Sequence, residues 1–160
     1  MPGNEPRYIY GMHDQDGEKP MIEMDTRGWI LFDERIFCNS AEAHGRDYSR
    51  WADQGFGIIV RLNHDYYPKG TIPLPPLYEA FAHRVHRYVK NSRGCHVWII
   101  GNEPNHEQER PDGAFIYPEQ YAACYAKCWQ QIHSLSGHEH DQVVTAAVGP
   151  WNNTTRYTGN

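Results

Sequence analysis

Apolar residues fall along this chain in two rhythms that take turns. Short runs with the length of buried strands occur at Tyr8-Ile9-Tyr10-Gly11-Met12, Trp29-Ile30-Leu31-Phe32, Gly57-Ile58-Ile59-Val60-Arg61-Leu62, Val97-Trp98-Ile99-Ile100 and Val143-Val144-Thr145-Ala146-Ala147-Val148. Their β-branched and aromatic content suits a sheet. Between them, apolar residues recur at helical spacing. Leu77, Tyr78, Phe81, Val85, Tyr88 and Val89 follow Pro75 and Pro76, which open a helix where a missing N–H costs little, and Gly94 closes it. Tyr121, Cys124, Tyr125, Cys128, Ile132 and Leu135 form a second stripe, begun by Pro118 and Glu119 and stopped by Gly137. Residues 41–53 read as a helix with Tyr48, Trp51 and Ala52 on one face, and Gln54-Gly55 ends it. Residues 18–27 are poorly periodic and suit one or two helical turns.

Strands alternating with helices imply parallel pairing through right-handed crossovers. A doubly wound open sheet and part of a (β/α)8 barrel both satisfy that pattern. The first normally carries a Gly-rich phosphate turn after its first strand. Here that turn is Gly11-Met12-His13-Asp14-Gln15-Asp16-Gly17, acidic and without the fingerprint. The expected fold is therefore α/β, a partial (β/α)8 TIM barrel of about five parallel strands with connecting helices. Eight units take about 250 residues, so five take roughly 156. The chain has 160. Residues 1–160 are thus expected to be the N-terminal part of one barrel domain, with edges open to self-association or to a completing polypeptide.

Composition narrows the function. Charged residues make up 22%, hydrophobic ones 39%, and the net charge is −5. There is no basic patch for nucleic acid, no run of the length a membrane span needs, and no visible signal peptide. The compartment stays open. Cys124 and Cys128 lie one helical turn apart, a poor geometry for a disulfide, and no cysteine pair has zinc-site spacing. Ten histidines include no His-Glu-x-x-His helix, so no metal or cofactor is expected. The aromatic content of 13% fits flat platforms for pyranose rings and fits a dense core nearly as well.

The most informative segment is Ile100-Gly101-Asn102-Glu103-Pro104-Asn105-His106, where a carboxylate flanked by amides leaves a strand. In parallel α/β folds the C-terminal mouths of the strands carry the chemistry. Gly3-Asn4-Glu5-Pro6 has the same letters without a strand before it and reads as coil. Each strand supplies polar residues at its mouth: His13 and Asp14; Asp33, Glu34 and Arg35; Arg61, Asn63, His64 and Asp65; Asn102, Glu103, Asn105 and His106; Trp151, Asn152 and Asn153. Amides, imidazoles, carboxylates and an indole in one bowl suit a neutral polyhydroxylated ligand.

Residues 57–64 (GIIVRLNH), 98–106 (WIIGNEPNH) and 146–153 (AAVGPWNN) together resemble the cellulase-like superfamily of retaining glycoside hydrolases. The resemblance covers nearly the whole chain as the first half of the barrel. It implies an O-glycosyl hydrolase acting on β-linked oligo- or polysaccharide, with Glu103 as the general acid/base. It also implies that Asn102 hydrogen-bonds the sugar 2-hydroxyl, that Arg61 braces a catalytic carboxylate, and that Trp151 stacks on a sugar ring. His13, Asn63, His64, Asn105, His106 and Asn152 complete the expected binding surface. The superfamily's nucleophilic Glu follows strand seven, beyond the strands read here, and Asp14, Glu34 and Asp65 do not take its place. As given, the chain is expected to be catalytically incomplete.

Plainer readings stand beside these. Glu103 also reads as a solvated loop acid, Arg61 as a structural ion pair and Trp151 as a packing residue. His13, His64 and His106 read equally as rim residues, and Glu107, Glu109, Arg110 and Asp112 as a solvated loop. A non-catalytic carbohydrate-binding or interaction domain derived from a glycosidase barrel is the alternative function. A metal-dependent hydrolase using His13 and Asp14 is a third, although the His-x-His of such sites is missing.

Overall fold

A computed structural model describes residues 10–13 and 16–150. Five parallel strands form one sheet in the order in which they occur along the chain. These are β1 (Gly11–His13), β2 (Trp29–Arg35), β3 (Gly57–Asn63), β4 (Val97–Ile100) and β5 (Gln142–Thr145). Four helices connect them: α1 (Glu18–Glu23), α2 (Ser49–Ala52), α3 (Tyr78–Lys90) and α4 (Pro118–His133). The strand order has no reversal, whereas doubly wound sheets reverse order at their switch point. Among the described residues, no helix is long and apolar enough to cross a membrane.

Side-chain alternation divides the sheet into two unlike faces. Ile30, Phe32, Ile58, Val60, Leu62, Trp98 and Ile100 are buried on one face. The helices pack there: Phe32 meets Tyr48 and Trp51 at ring-centroid distances of 5.0 and 4.8 Å, and Trp98 meets Tyr88 edge-on. From α4, Tyr121 Oη donates to Ile100 O (2.9 Å) and Tyr125 Oη to Val143 O (2.7 Å), tying that helix to β4 and β5. The opposite face carries Trp29, Leu31, Ile59, Val97 and Ile99, all only half-buried, and Val144, which is exposed. It is therefore apolar toward the N-terminal ends of the strands. Toward their C-terminal ends it turns polar, with Asp33, Arg61 and Asn63.

Several boundaries differ from the sequence reading. Residues 41–48 are not helical, and α2 is only four residues long. The segment instead bonds to the chain leaving α3, through Arg46 N to Ser92 Oγ (3.1 Å), Arg93 N to Arg46 O (3.1 Å) and Tyr48 N to Arg93 O (2.8 Å). Those long-range partners outcompete a local helix that has Gly45 in its interior. Asp33, Glu34 and Arg35 lie within β2 rather than beyond it, because they pair in register with Arg61, Leu62 and Asn63. The fifth strand starts at Gln142 and stops at Thr145, earlier than the apolar run. Tyr8, Ile9, Asp14, Trp151, Asn152 and Asn153 lie outside the described residues.

Candidate functional site

A sharp turn after β4 sets the position of Glu103. Gly101 has φ 73°, and a Cβ there would lie 2.6 Å from Ile72 Cγ2, so glycine is needed on both counts. Glu103 itself has φ 33°, in the left-handed region that costs a side-chain-bearing residue about 1 kcal/mol or more. His106 N donates to Glu103 O at 2.7 Å and closes the turn. Thr71, fully buried, holds it from below: its hydroxyl donates to Asn102 O (2.7 Å) and accepts from Asn102 N (3.1 Å).

The turn lays Glu103 against the loop that follows β5. Glu103 Oε2 lies so close to Gly149 that a Cβ there would sit 3.0 Å from it. Asn105 stitches the same two loops, donating from Nδ2 to Gly149 O (2.9 Å) and accepting at Oδ1 from Gly149 N (2.8 Å). Its amide therefore serves the scaffold that carries Glu103.

A second cluster gathers around Asp33. Its carboxylate receives Arg61 Nη1 at 3.2 and 3.4 Å, His13 Nε2 at 2.9 Å and Asn63 Nδ2 at 3.5 Å. Three neighbouring strands thus place an acid, a guanidinium, an imidazole and an amide on one face. Arg61 Nε and Asn63 Oδ1 are buried without a hydrogen-bond partner among the described residues, and Asn63 is 1% exposed. Polar atoms left unmet in this way are unusual in a settled core.

Glu109 joins the two clusters. Burial pushes its carboxyl above the usual range. The negative charge of Glu103 adds to the rise, while the Asn102 amide, His106 and Arg61 oppose it. Burial likewise raises the Tyr66 phenol, which faces Asn63, Asp33, Arg35 and Glu109. Asp65 shows the opposite balance. Burial raises it, but the Tyr66 N–H at 2.9 Å, Lys69 and Arg35 outweigh burial and hold it below the usual carboxylate range.

The sequence-derived residues separate into groups. His13, Arg61 and Asn63 meet at Asp33, and Asn102, Glu103 and His106 lie at the neighbouring β4 mouth. His64 does not join them. It is 8% exposed and packs edge-on against Phe81 of α3, so its ring lines the helix-side core. Trp151 and Asn152 lie outside the described residues. Glu109 and Arg110 are not a solvated loop: Glu109 is half-buried, and Arg110 is 3% exposed with its guanidinium over Phe115 at 4.6 Å. Asp33, read in the sequence only as one strand-mouth residue, is the hub; the missed residues are Thr71 as the brace and Glu109 as the second acid. A Pro- and Gly-rich loop gave no sign of Thr71, since the signal lies in its tertiary contacts. A depression of about 360 Å³ is lined by Ser40 and by His83, His86 and Arg87 of α3, none of them a member of these clusters.

Comparison of the chain with family models, with curated proteins and with solved structures returned no match.

Proposed function

We propose that this chain is the N-terminal part of a (β/α)8 glycoside hydrolase that cleaves β-linked sugars with retention, using Glu103 as general acid/base. One observation carries the reading. At one end of a sequentially ordered parallel sheet, the face not packed by α2, α3 and α4 ends in Asp33, Arg61 and Asn63, with Asn102, Glu103 and Glu109 beside them. In a barrel that face is the interior and that end is the active-site end. The half-buried apolar residues lower on the same face fit the interior of a closed barrel.

In this mechanism Glu103 protonates the glycosidic oxygen and then deprotonates the incoming water. Asn102 holds the sugar 2-hydroxyl. Arg61 and Asn63 line the approach with donors, and Arg61 also holds the Asp33 carboxylate in position. Retention needs a nucleophilic carboxylate about 5–5.5 Å from the acid/base. In this reading it comes from a strand beyond β5. The sheet edges support the need for completion: Tyr10 and Met12 at β1, and Val144 and Val148 at and after β5, are exposed apolar groups. A second copy or a completing polypeptide would cover them.

The test is Glu103→Gln in the polypeptide that carries these strands. Turnover of a natural β-linked oligosaccharide should fall by about 10²–10⁴. An aryl glycoside with an activated leaving group should lose little in its first step, because that leaving group needs no proton. Undiminished hydrolysis of the natural linkage by the variant rejects the assignment. In a version that also carries the later-strand carboxylate, saccharide binding without turnover favours the non-catalytic binding domain, and neither binding nor turnover rejects both.

A further inference from the structure

We propose that His96, His138 and Asp141 form a site for one divalent transition-metal ion of the zinc class, at the end of the sheet opposite Glu103. His96 directly precedes β4, and Asp141 directly precedes β5. His138 sits in the turn between α4 and β5. The four residues of β4, about 13 Å of extended chain, lie between His96 and the turn that carries Glu103. The site therefore stands apart from the proposed catalytic one and does not rest on it.

The donor set is two imidazoles and a carboxylate, which first-row transition metals favour and magnesium and calcium do not. The ligand atoms all lie within 4.8 Å of one another. Nδ1 of His96 is 2.7 Å from Asp141 Oδ1, and Nδ1 of His138 is 2.7 Å from Asp141 Oδ2. Four ligands around zinc at about 2.0–2.1 Å stand roughly 3.3 Å apart, so each imidazole–carboxylate contact must open by about 0.6 Å to admit the ion. His96 has the freedom to do this, since its side chain is 68% exposed. When the ion enters, each ring releases to solvent the Nδ1 proton it now donates to Asp141, coordinates through Nδ1 with a proton on Nε2, and water fills the open positions.

The rest of the site is already built. The Asp141 side chain is 3% exposed, and the Trp98 indole N–H, at 2.6 Å from Oδ2, fixes its orientation. An outer partner of this kind typically strengthens a metal site by 10–100-fold. The ligand backbones are pinned too, by Gln142 N to His96 O (2.8 Å) and Asp141 N to His138 O (3.2 Å). His133 Nε2 lies 3.0 Å from Asp141 O and steadies the same turn. The ion would tie the start of β4 to the start of β5, 45 residues apart, and stabilise the folded chain by mass action.

The experiment titrates the chain with Zn²⁺ by calorimetry, and with Co²⁺ by visible absorption. One ion should bind per chain, the unfolding midpoint should rise with Zn²⁺, and Mg²⁺ should do neither. His96→Ala and His138→Gln should each weaken binding by roughly 10-fold or more, with loss of the Co²⁺ d–d band. The double variant His83→Ala, His86→Ala on α3 should bind as the unsubstituted chain does. His96 is exposed, so its variant keeps the fold, and an unchanged midpoint without metal checks this. Absence of Zn²⁺ binding, or binding equally strong in His96→Ala, overturns the proposal and leaves a hydrogen-bonded clamp.

Discussion

Replacing Asp33 by Asn removes the one carboxylate on which β1, β2 and β3 converge. The Arg61 and Asp33 side chains are 18% and 21% exposed. Exposed pairs are worth about 0.2–1 kcal/mol, while breaking a fully buried pair costs about 3–5 kcal/mol. With roughly a fifth of each side chain open to water, and N···O distances of 3.2 and 3.4 Å, the coupling should fall between, at about 1.5 kcal/mol. Asp33→Asn should cost more than Arg61→Met, about 2–3 kcal/mol, because it deprives His13 and Asn63 as well. The assay is urea unfolding followed by the fluorescence of the five tryptophans, on both single variants and the double variant. A coupling below about 0.3 kcal/mol would show that the two charges act independently. An Asp33→Asn cost no larger than that of Arg61→Met would refute the idea of a shared hub.

Three further outcomes are expected. Gly149→Ala places a Cβ 3.0 Å from Glu103 Oε2, so the Glu103 carboxyl ¹³C resonance at fixed pH should move while stability changes by less than about 1 kcal/mol; an unmoved resonance would mean the carboxylate does not rest on Gly149. Burial holds the His64 imidazole below its ordinary value, so below about pH 6.5 the unfolded chain takes up a proton that the folded chain does not. That stabilisation is present at higher pH and is lost as pH falls from about 6.5 toward the folded value, by at most about 1.4 kcal/mol per pH unit; if His64→Asn unfolds with the same pH slope in urea, the origin lies elsewhere. Burial pushes the Cys38 thiol up to about 12 and also raises Cys95, and a hydrogen bond with Cys124 together with burial raises Cys128, so at pH 8 a thiol-reactive disulfide should leave these three unmodified until the chain unfolds; rapid labelling of any of them in the folded chain contradicts it.

What the sequence determined by itself was local. Apolar runs of strand length and stripes at helical spacing marked all five strands and the two long helices, because burial on one face imposes a period visible in any short window. Gly101 and Pro104 marked the turn that carries Glu103. The same windows misread residues 41–48, whose backbone bonds go to residues 92 and 93, far along the chain. Tertiary structure alone decided which polar groups meet. Parallel register set Asp33 beside Arg61, a close approach of two loops put Asn105 on Gly149, and the first rungs of β4 and β5 brought His96 to Asp141. Each partnership spans 28 residues or more, so no periodicity records it. It follows only once strands separated by whole helices are laid side by side.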